Sequence, residues 1–157
     1  MAPIRDLVFD RAFAAPYGVA QPLSLWVARV LAPNPGPFTF RGTGTHLVGA
    51  GDAVAVIDPG PDLPQHLAAL KRAIGTRTVS HILITHTHRD HCPAAAPLKA
   101  WCGAPVYAAG PAPPPAAAPE REAAPKEEAK VDEAHDRDFG PDRTVRDGQR
   151  IAGDGFT

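Results

Sequence analysis

An apolar run, Val79-Ser80-His81-Ile82-Leu83-Ile84-Thr85, leads without a break into His86-Thr87-His88-Arg89-Asp90-His91. Four candidate metal ligands thus fall within six residues at the end of a strand, and no other feature restricts the chain so strongly. Neutral imidazole is a favoured nitrogen ligand for Zn²⁺, and carboxylate supplies oxygen. In extended backbone alternate residues share a side, so His86 and His88 can converge on one ion. Where the chain then turns into a helix, Asp90 and His91 can reach toward a second. The competing reading is a solvated histidine-rich loop. With only 7 His in 157 residues, a chance match to this spacing is rare, and the preceding strand and following turn are the context a metal loop requires.

The text around the loop alternates strands and helices. SLWVARVL (24–31), FTF (38–40), THLVG (45–49) and AVAVID (53–58) read as strand-like runs separated by turn residues. A hairpin joins the last two across Ala50-Gly51-Asp52, with Gly51 suited to positive φ. AVAVID is apolar on both faces, which predicts a buried strand. After Asp58-Pro59-Gly60-Pro61, Asp62 is placed to cap a helix over about 63–74, in which Leu63, His66, Leu67, Leu70 and Ile74 share helical spacing and Gly75 ends the run. VSHILIT is a second buried strand. A helix over about 93–101, with Pro93 in its first turn, and a short strand PVYA (105–108) follow. Strand, helix, strand order predicts a layered α/β fold.

Composition locates what is not core. Of the 19 prolines, six fall in residues 108–130, with nine alanines, seven charged residues and no aliphatic side chain larger than alanine. Such a stretch cannot bury a core face, so an Ala/Pro/charged disordered insert is expected over 109–138, between a unit at 1–108 and strand-and-turn text at 139–157. Leu, Ile, Val and Phe number 33, enough for a modest core. A net charge of −1 argues against a general nucleic-acid or anionic-membrane surface. No run of 18 apolar residues is present, so no membrane span is expected. The start, MAPIRDLVFDRAFAAPYG, lacks a signal-peptide pattern. Two cysteines suit a reducing compartment, and a cytoplasmic location is expected.

The segment 86–91 resembles the H-x-H-x-D-H signature of the metallo-β-lactamase superfamily. Asn34-Pro35-Gly36-Pro37-Phe38-Thr39, Gly42-Thr43-Gly44-Thr45-His46-Leu47-Val48-Gly49 and Ile57-Asp58-Pro59-Gly60 look like the first strands of its branch of glyoxalase-II-like hydrolases and lactamase-β-like endoribonucleases. The resemblance covers about residues 20–108 and, weakly, 139–157. Family members usually carry Tyr or a similar residue where His46 stands, and Ser or Gly where Cys92 stands. The resemblance implies an αββα sandwich, with His86 and His88 as ligands of a first zinc, Asp90 and His91 as ligands of a second, and Asp58 as a supporting carboxylate at the strand end below the site. Two cations would lower the pKa of a bridging water and polarise the attacked bond, with Asp90 as the catalytic carboxylate orienting that water or taking its proton. The metal is expected to be Zn²⁺, with Fe or Mn as minority occupants.

In the family a further histidine, usually in T-P-G-H-T, then a bridging aspartate and a last histidine complete the site. Residues 143–157 resemble the stretch leading into T-P-G-H-T. The expected architecture is therefore the N-terminal half of the sandwich alone, a mixed sheet with helices on one face, in a truncated chain that keeps at most two ligands per metal. The expected activity is hydrolysis of an ester or thioester-type bond in a small-molecule substrate. The alternatives are a phosphodiester (RNA) hydrolase, the only reading with a nucleic-acid partner, and an inactive fragment.

Other residues carry weaker signals. His46, His66, His81 and His135 are single and read as surface or satisfied core positions. DEAHDRD around His135 reads as a solvated face. Cys92 beside His91 is either a small helix-start residue or a reactive thiol. Trp101 and Cys102 read as packing. Gly42-Thr43-Gly44-Thr45 lacks the Gly-Lys-Ser/Thr ending of a phosphate loop. Arg89 is either a surface cation or a contact for an anionic substrate at the pocket rim.

Overall fold

The computed structural model describes residues 15–110 and 135–153. Their order is β1 (Ala20–Pro22), β2 (Val27–Leu31), β3 (Gly44–Val48), β4 (Ala53–Ile57), α1 (Pro64–Ile74), β5 (Thr78–Leu83), α2 (Ala95–Cys102), β6 (Val106–Ala108) and β7 (Arg143–Thr144). The seven strands lie side by side in chain order. Short connections make β1 to β4 antiparallel. From β5 onward each strand is parallel to the one before; between β4 and β5 and between β5 and β6, the helices α1 and α2 return the chain to the same end of the sheet, as parallel pairing requires. The result is the mixed sheet expected from the sequence.

Alternation decides the two faces. Thr45 on β3 is buried, and Leu47 on β3, Val54 and Val56 on β4, and Ile82 on β5 are buried in one cluster with Ala69, Leu70 and Ile74 of α1 and Ala95 and Leu98 of α2. Each fully buried aliphatic side chain there contributes about 1.5–3 kcal/mol. The other face carries Arg29, His46, Ile57, Leu83 and Tyr107, cross-strand neighbours by register and half-buried. Both helices therefore cover one face of the sheet.

Local hydrogen bonds move several boundaries. Ser24 Oγ accepts from the Trp26 and Val27 amides, at 3.1 Å each, so β2 begins at Val27 rather than at 24. FTF is a turn and not a strand: the Phe40 amide donates to Gly36 O at 2.8 Å, Thr39 Oγ1 donates to Asn34 O at 2.6 Å, and Phe40 has φ 55°. In the β3–β4 hairpin the positive φ belongs to Gly49 at 137°, not Gly51, and a Cβ there would lie 2.5 Å from Ala53 O. Asp62 does not cap α1. Its N-cap is Leu63, with no side-chain bond, and Pro64 occupies the first turn, where its missing N–H costs nothing. The second helix starts at Ala95, so Pro93 precedes it. Most of the expected insert, 111–134, and the N-terminal 1–14 lie outside the described residues. Among the described residues no helix is long and apolar enough to cross a membrane.

His66 is fully buried in α1, its Nε2 2.9 Å from Thr45 Oγ1. Burial, opposed by the Pro59 carbonyl, pushes its pKa from 6.5 down to about 4. The unfolded chain therefore binds this proton more readily, and stability falls as pH drops from 6.5 toward 4, by about 3 kcal/mol in full. Urea unfolding at pH 7 and pH 4.5 should show a larger acid loss in the wild type than in His66→Gln. Parallel losses would contradict this assignment.

Candidate metal centre

The loops that follow β4 and β5 meet at the carboxyl ends of these adjacent parallel strands, where open α/β sheets place their ligands. Asp58 directly follows β4, its amide donating to Leu83 O at 2.9 Å. Its φ of 49° is a left-handed conformation that Asp tolerates better than most residues. That twist turns the carboxylate toward β5, where Oδ1 accepts from the Thr85 amide at 2.8 Å and Oδ2 from Thr85 Oγ1 at 2.6 Å. His91 Nδ1 is 3.0 Å from the same Oδ2.

The hexapeptide turns tightly, with His88 O accepting from the His91 and Cys92 amides. His91 O accepts from the Gly60 amide, whose own carbonyl accepts from the Ala94 amide, so the two loops are stitched together. His86 Nε2 and His88 Nδ1 stand 3.0 Å apart. Two ligand nitrogens on one tetrahedral zinc stand about 3.4 Å apart, so this pair fits a single ion with little movement. His91 Nε2 lies 3.2 Å from Asp90 Oδ2, a second converging nitrogen and oxygen pair. Asp58, His86 and His91 also offer donor atoms that all lie within 4.8 Å of one another. Asp58 accepts from the Thr85 amide and hydroxyl and lies against His91 Nδ1, an arrangement in which a carboxylate can hold a histidine ring.

Protonation agrees with that division. Burial raises the pKa of Asp58, but hydrogen bonds from His91 and Thr85 outweigh it and the net shift is downward. Burial lowers that of His91, yet the Asp58 hydrogen bond and the charges of Asp58 and Asp90 leave it raised. When the ring is protonated, His91 Nε2 also forms an ion pair with Asp90 Oδ2 at 3.2 Å. His86 is lowered by burial and by the neighbouring His91 and His88, which keeps its nitrogen lone pairs available.

Two supporting residues were not legible in the sequence. Thr43 Oγ1 donates to Asp90 Oδ2 at 2.9 Å, while Asn34 Oδ1 accepts from the Thr43 amide at 2.9 Å and Asn34 Nδ2 donates to Thr43 Oγ1 at 3.0 Å. The segment 34–43 thus orients Asp90 from across the site. His135 is exposed, as expected of a surface position, and it also bridges to His88, its Nδ1 lying 3.1 Å from Thr87 Oγ1. The next amide, of Asp136, donates to Thr87 O at 2.7 Å, so residues 135–136 lie against the loop. Cys92 is buried and its thiol is pushed up to about 11, chiefly by burial, which leaves a packing residue and not a reactive one. His46 lines an open cavity of about 370 Å³ together with Asp58 and His91. Arg89 is exposed, and the cations lining that cavity are Arg29 and Arg41.

Residues 39–157 match the sequence model of the metallo-beta-lactamase superfamily. The chain belongs to that superfamily. A beta-lactamase-like protein 2 homolog of Caenorhabditis elegans is 42% identical over 72 residues, covering 44% of this superfamily member and 24% of the relative. An atrochrysone carboxyl ACP thioesterase of Cryptosporiopsis is 37% identical over 84 residues, covering 52% and 26%. The chain spans about a quarter of the length of these curated relatives. Among solved structures, a subclass B3 metallo-beta-lactamase of Bradyrhizobium japonicum aligns with a TM-score of 0.55 at 21% identity, covering 88% of this chain and 48% of that one. This likeness extends the family fold across most of the described residues.

Proposed function

We propose that this chain carries the histidine and aspartate loop of a binuclear zinc hydrolase acting on an ester or thioester-type bond of a small molecule. The observation that carries the reading is the convergence of two donor pairs, His86 Nε2 with His88 Nδ1 and Asp90 Oδ2 with His91 Nε2. His86 and His88 would hold one ion, and Asp90 and His91 the other. Such ions supply Lewis acidity and make water a better nucleophile near neutral pH. Asp58 fixes the His91 tautomer and ring plane. Thr43 holds one oxygen of Asp90, leaving the other to orient a water molecule and take its proton. Relatives named as thioesterases support acyl transfer to water as the reaction.

The test is hydrolysis of a short acyl thioester by the zinc-supplemented chain. Asp90→Asn should lower kcat by about 10²–10⁴-fold, the usual contribution of a positioned acid or base, and a chelator should abolish turnover. Thioester turnover that is unaffected by both would remove the reading.

A further inference from the structure

An exposed histidine from outside the hexapeptide stands against its middle. His135 and His88 pair across a short antiparallel bridge. Thr87, itself buried, is engaged twice by the incoming segment: its carbonyl accepts from the Asp136 amide at 2.7 Å, and its hydroxyl lies 3.1 Å from His135 Nδ1. These contacts set the His135 ring 4.3 Å from the His88 ring, centre to centre, with 43° between their planes. The His86 ring meets His88 edge-on, 4.5 Å away at 79°, so His88 has one imidazole neighbour from the loop and another from beyond it. The segment carrying His135 is fastened again further along. Phe139 packs against the core cluster, and Asp142 accepts from Lys99 Nζ of α2 at 2.5 Å and from the Val106 amide of β6 at 2.8 Å. Residues 135–142 thus form a strap, tied to the metal loop at one end and to α2 and β6 at the other.

We propose that His135 is a positioning residue of the metal centre, its ring a wall that holds the His88 imidazole with Nδ1 facing His86 Nε2. The proposal deepens the reading of residues 86–91 as a metal-binding loop and rests on it. A side chain on a partly exposed loop loses rotamer freedom when it takes a ligand, and a neighbour that limits its rotamers beforehand raises affinity. Thr87 and His88 are consecutive, so the contact that fixes His135 and the ring that His135 restrains belong to one stretch of backbone. His135 adds no donor to Asp58, His86 and His91, whose ligand atoms lie within 4.8 Å of one another; it acts through His88 rather than on the ion.

The test uses the full chain and zinc alone. Competition with a chromophoric chelator reads affinity, and NMR of the metal-free chain reads the χ1 couplings of His88. His135→Ala should weaken zinc binding about tenfold, the low end of what removing a supporting partner costs, and should turn the couplings of a single His88 rotamer into averaged ones. His135→Phe, which keeps a ring at that place, should restore most of the affinity and the single rotamer. The side chain at 135 is exposed, so neither variant carries much folding risk, and urea unfolding in chelator should be alike in all three proteins. Unchanged zinc affinity and unchanged couplings in His135→Ala overturn the proposal, as does a loss in His135→Phe equal to that in His135→Ala. A wild-type chain without zinc affinity would remove the metal reading, and the His88 couplings would then decide the positioning role by themselves.

Discussion

Replacing Asp58 with alanine is expected to destabilise the metal-free fold by about 2–3 kcal/mol, the cost of leaving part-buried donors without their charged acceptor. The carboxylate accepts from the Thr85 amide, Thr85 Oγ1 and His91 Nδ1, and alanine satisfies none of these donors. It also places a residue without a compensating side chain at φ 49°. Asp58→Asn keeps an oxygen for the Thr85 amide and tolerates the backbone, so its loss should be smaller. The pH dependence has two edges. Asp58 has a lowered pKa, so its contribution is present above 3.8 and is lost as acid reaches its folded value. His91 has a raised pKa, so its contribution is complete below 6.5 and fades as pH rises through its folded value. Urea titrations in chelator should therefore show the largest Asp58→Ala deficit between those edges. A deficit under 1 kcal/mol there would contradict the role assigned to Asp58.

The second large effect concerns the metal itself. His88→Ala removes one of the two nitrogens that converge within 3.0 Å, so the loss in affinity should exceed the ~10–100-fold that follows removal of a supporting partner. Affinity should also fall with acid, since a proton on His91 Nε2 competes with the cation. The side chain at 88 is partly exposed and lies outside the aliphatic core, so its removal should leave the fold intact.

Periodicity made the helices and strands legible. Leu67, Leu70 and Ile74 share a helical face, and β3 alternates buried and half-buried residues as a one-sided strand must. Boundaries were less legible because side chains compete locally with the ladder. Ser24 and Thr39 each bond nearby backbone, and no pattern of hydrophobicity records that. In the candidate site, the hexapeptide announced its own chemistry because its ligands are close in sequence. The Thr43 bond to Asp90 spans 47 positions and depends on how β3 packs beside the β5 loop, which spacing does not encode. His46 was within reach: burial of Thr45 and Leu47 sends it to the opposite face. Knowing that this face borders Asp58 and His91, however, requires the strand register.

The most direct test of the metal centre is zinc content by mass spectrometry, on the purified chain dialysed against micromolar zinc beside the His88→Ala variant. Retention of about one zinc per chain or more, lost in the variant, is the predicted result. Wild-type content near zero, or equal content in the two proteins, would contradict the assignment of residues 86–91 as a metal-binding loop.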